Sequence, residues 1–219
     1  MQNLKSIESL EKYLRLCFKK SLPGVEAHLG IAPNHRRKDI VNAGLRKNGV
    51  RSSVLILFYE KGGDVHLVFI RRPNYAGVHS GQISFPGGRW EKTDKSLYHT
   101  ALREAREEVG IYPEKVKYTG KLSDLYISPS NFLVSPFVGI YQGACVFEPD
   151  PTEVAEIVEV PFSFFLETES LTQVDITVRG TELISTPAFV FNEHIIWGAT
   201  AMILNELILQ WKNTIVGKR

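Results

Sequence analysis

The sequence predicts an α/β protein in which a mixed β-sheet lies between helices, preceded by a helical N-terminal extension. Three observations predict it. Two β-branched and aromatic runs, Val54–Tyr59 and Val65–Ile70, flank Lys61-Gly62-Gly63-Asp64, which is a hairpin signal. A helical pattern over Ser96–Val109 stops at Gly110, the residue type that ends helices. The chain has 219 residues, 43% of them hydrophobic, enough for one substantial core.

Taken in order, Leu4, Ile7, Leu10, Leu14 and Cys17 recur at helical spacing, with Ser6 or Ser9 available as a cap. They predict an amphipathic helix over about 6–20. Pro23-Gly24 and Pro33-Asn34 predict a loop, and a short helical stretch follows over 37–47. After the hairpin and the Ser96–Val109 helix, strands are expected at 115–121, 134–141, 154–160, 172–178 and 186–192. Phe162–Phe165 reads as a helical turn after Pro161, and Ala199–Trp211 as a closing apolar helix. Residues 1–50 form the extension and 51–215 the principal domain. No repeat or low-complexity tract is present.

The stretch from Gly88 to Ile111, GRWEKTDKSLYHTALREAREEVGI, carries the chemistry. On a helix, Glu104, Glu107 and Glu108 stand at i, i+3 and i+4 and project from one face. Like charges this close repel unless a cation offsets them. Hard divalent cations such as Mg²⁺ take oxygen ligands and keep positions open for water and phosphate. Taken alone, such a cluster is most often a solvated helix face. Here Phe85-Pro86-Gly87-Gly88 comes just before it, a glycine pair that predicts a tight loop feeding the helix.

This stretch resembles the Nudix box of the Nudix hydrolase superfamily, G-x5-E-x7-R-E-U-x-E-E-x-G-U with U aliphatic. Arg103 to Ile111 fit, except for small Ala105 at the first U. Gly88 to Arg103 is one residue longer than usual, and Asp94 stands where the first Glu normally stands. That spacing and that Asp resemble the coenzyme A diphosphatase subgroup, as does the preceding segment from Arg72 through His79, Gly81 and Gln82 to Phe-Pro-Gly-Gly. The second arginine of that subgroup's signature is missing, with Gly77 in its place, and Pro73 replaces a small residue. Pro129-Ser130-Asn131-Phe132, Glu153-Val154 and Ile196-Trp197-Gly198-Ala199-Thr200-Ala201 extend the resemblance over roughly residues 50–212.

The resemblance implies a Nudix α/β/α sandwich and a metal-dependent diphosphatase. Glu104, Glu107 and Glu108 would hold Mg²⁺ or Mn²⁺ together with a carbonyl of the Gly87–Gly88 loop, here assigned to Gly88. Glu104, or else Glu153, would take the proton of the attacking water, so Glu104, Glu107 and Glu153 are the catalytic candidates. Arg103, four residues before Glu107, would hold that carboxylate in place. Asp94 is either an outer ligand or a helix N-terminal residue favoured by the dipole. Arg72, His79, Gln82 and Ser130 are the substrate-binding candidates, Gln82 within a strand. The implied substrate is coenzyme A or an acyl-coenzyme A, giving 3',5'-ADP and a 4'-phosphopantetheine product. Gly77 leaves open ADP-ribose, a dinucleoside polyphosphate or a nucleoside triphosphate. A non-catalytic ligand-binding module is the third reading, which the intact glutamates oppose.

Composition narrows the classes further. No apolar run reaches the ~18–20 residues that span a bilayer, and the polar N-terminus lacks a signal-peptide core. Cys17 and Cys145 lie far apart without metal-ligand spacing, so small buried thiols in a reduced, cytoplasmic compartment are expected. The net charge is +2, but residues 1–51 hold eleven Lys/Arg against four acids. This is either a solvated face or an electropositive rim for an anionic substrate. Arg36-Arg37-Lys38 lacks the interleaved aromatics of single-strand binding, so nucleic acid is not expected. The extension could cover the active site or form a homodimer interface.

Overall fold

The computed structural model describes residues 6–41, 49–75, 77, 79–178 and 182–216. Helix α1 (Ile7–Cys17) starts at Ser6, whose Oγ accepts the Ser9 N–H, and it buries Leu10, Leu14 and Cys17 as the apolar period requires. Helix α2 (Val25–Ile31) occupies the segment where a loop is predicted. A helix of seven residues is too short for periodicity to register, and packing supplies what propensity does not. Helix α3 (Arg37–Val41) opens the stretch expected over 37–47; residues 42–48 lie outside the described part.

Strands β1 (Val50–Lys61) and β2 (Asp64–Arg71) form the expected hairpin, with Lys61 opposite Asp64 across the Gly62-Gly63 turn. Short β3 (Ile83–Ser84) and β4 (Gly87–Arg89) follow, then helix α4 (Leu97–Val109). Gln82 stands immediately before β3, outside the strand predicted for it. Next come β5 (Val116–Lys121), β6 (Leu125–Ile127), β7 (Phe132–Tyr141), β8 (Glu156–Pro161) and helix α5 (Phe162–Leu166). The chain continues through β9 (Leu171–Val178), β10 (Glu182–Phe191) and β11 (His194–Trp197) to helix α6 (Gly198–Val216).

Eight strands make one mixed sheet along the order β3-β2-β1-β7-β5, with β4 also on β1, β6 on β7 and β8 on β2. Only the β1–β7 pair is parallel among these ladders; β9, β10 and β11 form a separate antiparallel sheet. The period of two along β1 explains the layering. Leu55 and Leu57 pack with Val68, Ile70 and the α4 residues Ala101, Ala105 and Val109. Ile56 and Phe58 belong to the opposite core, with Phe69, α1 and α6. The central strands therefore read as continuous apolar runs, because both faces are covered. This is the α/β/α arrangement the sequence predicts. No described helix is long and apolar enough to cross a membrane.

Helix α6 is buried on nearly every side, and its buried amides and carboxylate reach across to the N-terminal segment, while the Trp211 indole N–H stays without a partner. Asn205 Nδ2 donates to the Ala27 carbonyl at 2.8 Å, and Gln210 Nε2 donates to Cys17 O. Glu206 Oε1 accepts the Gly24 N–H at 3.2 Å, and its Oε2 accepts Ser123 N–H at 3.2 Å and faces His28 Nε2 at 3.1 Å. The N-terminal helices are thus fixed to the sandwich through buried hydrogen bonds as well as apolar contact. Glu206→Ala would strand His28 and two N–H groups and is expected to cost roughly 3–5 kcal/mol. Urea unfolding should show a lower midpoint; an unchanged midpoint would mean the network holds nothing together.

Candidate active site

Gly87 and Gly88 do not form a loop at the head of the helix, as the sequence reading has it. They are strand β4, hydrogen-bonded beside β1 with Ser53 opposite Gly88 and Val54 opposite Gly87. Close approach explains the glycines. A Cβ on Gly87 would stand 2.3 Å from Ser53 O, and a Cβ on Gly88 would stand 2.5 Å from the Glu104 carboxyl carbon. The Glu104 carboxylate occupies the space that a side chain on Gly88 would need.

Helix α4 presents its carboxylates there because both its ends are set. Ser96 Oγ accepts the His99 N–H, and left-handed Gly110 returns its N–H to Arg106 O at 3.0 Å. Ala101, Ala105 and Val109 are buried against the sheet, so small Ala105 fits a close helix–strand contact. The last turn's carbonyls are taken by the following segment. Glu148 N–H donates to Val109 O and Asp150 N–H to Glu108 O, both at 3.1 Å. Asp150 then holds a turn, accepting Thr152 N–H and Oγ1 at 2.8 and 2.7 Å, and the next residue is Glu153.

The charges that meet here are unequal. Glu108 is 2% exposed, and its Oε2 accepts the Gly87 N–H at 2.7 Å. Burial, reinforced by Glu104 and Glu153, pushes its carboxyl up to about 8 against the opposing pull of Arg72 and the Gly87 N–H. Glu104 is also raised, first by burial and then by Glu107 and Glu153, with Arg103 opposing. Arg72 Nη2 lies 3.7 Å from Glu108 Oε1 and donates to Gly87 O at 3.2 Å.

Arg103 gathers the remaining charges. Its Nε and Nη2 donate to Asp94 at 3.0 and 3.1 Å, Nη1 reaches Glu107 at 2.8 Å, and Nη2 lies 3.0 Å from Glu104. Asp94 also accepts Thr100 Oγ1 and the Glu91 N–H, and Arg103 above all holds its carboxyl down at about 2. Asp94 therefore faces the guanidinium rather than Glu108. Glu107 is half exposed, accepts Arg103 Nη1 and is not among the cleft-lining residues.

Glu104, Glu108, Glu153, Arg72, His79, Gln82, Gly87 and Gly88 line one cleft of about 1680 Å³. His79 Nδ1 lies 3.0 Å from Gln82 Oε1. Ser130 is not among the lining residues; its neighbours Ser128 and Pro129 are. The crowded carboxylates suit a hard cation. Their donors are all oxygen, Glu107 and Glu153 push the Glu104 carboxyl up, and Glu104 and Glu153 push up that of Glu108.

Several cleft residues carry no local signal. Among the described residues, the cleft-lining Glu193 and His194, from the β10–β11 turn and the start of β11, have ligand atoms within 4.8 Å of one another and of Glu156 on β8, which does not itself line the cleft. Glu156 already accepts Arg71 Nε at 2.7 Å, its partner across the β2–β8 ladder. Arg36 and Asp39 reach the cleft from the N-terminal segment, and Ile176, Val178 and Ile184 reach it from β9 and β10. Of these, only Arg36 stands out in the sequence, as part of a basic run.

Comparison with known proteins follows the same lines. The NUDIX domain family matches residues 49–177. Over 144 residues the chain is 40% identical to the uncharacterized Nudix hydrolase NudL of Photorhabdus laumondii subsp. laumondii, covering 66% of this chain and 76% of that protein. It is 32% identical over 149 residues to the peroxisomal coenzyme A diphosphatase NUDT7 of Mus musculus, covering 68% and 63%. A MutT/nudix family protein from Enterococcus faecalis superposes over 97% of this chain and 75% of its own, at 13% identity and a TM-score of 0.46.

The raised Glu108 carboxyl has a measurable consequence for stability in EDTA. In the unfolded chain this group loses its proton near its ordinary value of 4.5, but in the folded one only near 8. Between those values the folded state holds more protons, so stability falls as pH rises. Glu108→Gln should flatten that slope in urea titrations between pH 5 and pH 8, and Mg²⁺ should flatten it in the unmodified protein. A slope unaffected by either change would contradict the burial of a charged Glu108.

Proposed function

The chain belongs to the Nudix family, and on that premise we propose that it cleaves the diphosphate of coenzyme A or an acyl-coenzyme A. It is a hydrolase acting on diphosphate linkages. The proposed products are 3',5'-ADP and an (acyl-)4'-phosphopantetheine. The observation that carries this reading is the meeting of Glu104, Glu108 and Glu153 with Arg72 beside the Gly87-Gly88 pair of β4, at the wall of a cleft that a nucleotide with a long arm would fit. The mouse relative's name supplies the substrate class.

Nudix hydrolases generally use divalent metals, and here Glu104, Glu107, Glu108 and the Gly88 carbonyl would hold Mg²⁺ or Mn²⁺. Bound there, the ion offsets the charge of the phosphate oxygens and acidifies water. The rest falls to the protein. Arg72, fixed by Gly87 O, offers its remaining N–H groups to the diphosphate. Glu104 takes the proton of the attacking water; partial burial raises its basicity toward that task. Glu153, which lines the same cleft, is the alternative base. Water attacks one phosphorus in line, the bridging P–O bond breaks, and two phosphomonoesters leave. Arg103 positions Glu104 and Glu107. His79 and Gln82 hold each other at the rim, where either could meet the nucleotide.

A second reading keeps the chemistry and changes the substrate to ADP-ribose, a dinucleoside polyphosphate or a nucleoside triphosphate. Gly77 favours it, since it lines the cleft where the related signature has an arginine.

Phosphomonoester release should be measured on coenzyme A, acetyl-coenzyme A, ADP-ribose, diadenosine polyphosphates and nucleoside triphosphates, with Mg²⁺, Mn²⁺ and an EDTA control. Coenzyme A and its thioester are expected to be preferred and EDTA to abolish release. Preference for ADP-ribose or triphosphates would select the second reading. Glu107→Gln should lower kcat by orders of magnitude with an unchanged unfolding midpoint; near-normal turnover would remove Glu107 from the site. Arg103→Gln should cost roughly 10–100-fold in metal affinity or activity, read as a higher Mn²⁺ requirement.

A further inference from the structure

We propose that Arg36 is a substrate-binding residue that takes a second anionic group of the substrate, away from the diphosphate, and so selects nucleotides carrying an additional phosphate. This rests on the reading that the cleft hydrolyses a nucleoside diphosphate derivative.

Arg36 ends the single turn Asn34–Arg36 between α2 and α3 and lines the same cleft as Glu104 and Glu108. It is an arginine whose burial is poorly compensated. Its Nη2 donates to Tyr126 O at a long 3.3 Å, and its Nε is buried with no hydrogen-bond partner. The other arginines lining the cleft each face a carboxylate, Arg71 with Glu156 and Arg72 with Glu108. Among the described residues no ion pair ends on Arg36; Asp39 contributes only a field, and its Oδ2 accepts Ser128 Oγ. Burial accordingly disfavours the charged guanidinium. Desolvating a cation without pairing it is costly, and an anion entering the cleft is what would offset that cost.

The sheet fixes where that anion would sit. Arg89, Ser52, Val134 and Leu125 are successive partners across β4, β1, β7 and β6. At about 4.8 Å per strand, Tyr126 O lies on the order of 14 Å from the Gly88 strand. Arg36 reaches into the cleft from that side and the α4 carboxylates from the other, so the gap a substrate must bridge is shorter than this backbone spacing. A phosphate on the nucleotide's ribose meets that requirement, and planar, bidentate donors suit it. The position is held firmly, because α2 is tied to α6 through Asn205 and Glu206.

The test compares coenzyme A with 3'-dephospho-coenzyme A. The unmodified enzyme should prefer the first in kcat/KM. Arg36→Gln should reduce that preference by roughly 10- to 100-fold, with the loss in KM rather than kcat. Arg36→Lys, which keeps the charge without the fork, should retain part of the preference, and it serves if Arg36→Gln does not fold. A preference equal to that of the unmodified enzyme, or an equal loss on both substrates, would overturn the proposal. Calorimetry in EDTA gives a readout free of turnover: adenosine 3',5'-bisphosphate should bind more tightly than AMP, and Arg36→Gln should abolish the difference. If neither coenzyme A compound is cleaved, the substrate reading fails, while the calorimetry still decides the role of Arg36.

Discussion

The cost of burying like charges organises this molecule. Glu108 is enclosed under β4 with Glu104 and Glu153 nearby, and its ionised form is disfavoured for that reason. Such a group survives in a fold only if its surroundings supply opposite charge or hydrogen bonds. The chain supplies both in graded fashion. The Gly87 N–H and Arg72 partly answer Glu108, and Arg103 answers Glu107 and Asp94 more fully. What remains uncompensated is concentrated where α4, β4 and the Glu153 turn converge.

The two helix layers play different parts in keeping that convergence rigid. On one face α4 lies close to β1 because Ala101 and Ala105 leave no bulk between them. On the other, α6 serves as a buried axle for the N-terminal helices, with Asn205, Glu206 and Gln210 each closing a hydrogen bond across the layer. The N-terminal segment therefore stands as part of the cleft wall, and His35, Arg36 and Asp39 reach the same space as the α4 carboxylates.

Much of this was legible in the sequence wherever a feature was local. The α4 helix with Ser96 and Gly110 at its ends, the Lys61–Asp64 hairpin, the long strands and α6 all stand within a residue or a few of their expected bounds. Of the short elements, α5 after Pro161 and the start of α3 were legible, and the rest were not. Helix α2 and strands β3, β4, β6 and β11 are two to seven residues long and owe their conformation to neighbours far along the chain. Gly87-Gly88 looked like a loop because glycine is rare in strands; here the strand needs a surface without side chains. In the same way, no sequence pattern joins Glu156 to Glu193 and His194, or Arg36 to Tyr126, since those meetings are set by strand order. Glu153 was visible only through family likeness, and its placement depends on Asp150 binding the end of α4.

Strand β1 has a further consequence for anyone handling this protein. It enters the sheet at the cleft, where Ser52 to Val54 lie beside β4, and leaves it at Gly62-Gly63, where an added side chain would meet nothing within 4 Å. Eight residues at about 3.3 Å each put that turn roughly 26 Å from the glycine strand. The hairpin tip is thus a natural handle, a place where a fluorophore, an affinity peptide or a surface linker could be grafted while the chemistry at the far end goes on undisturbed.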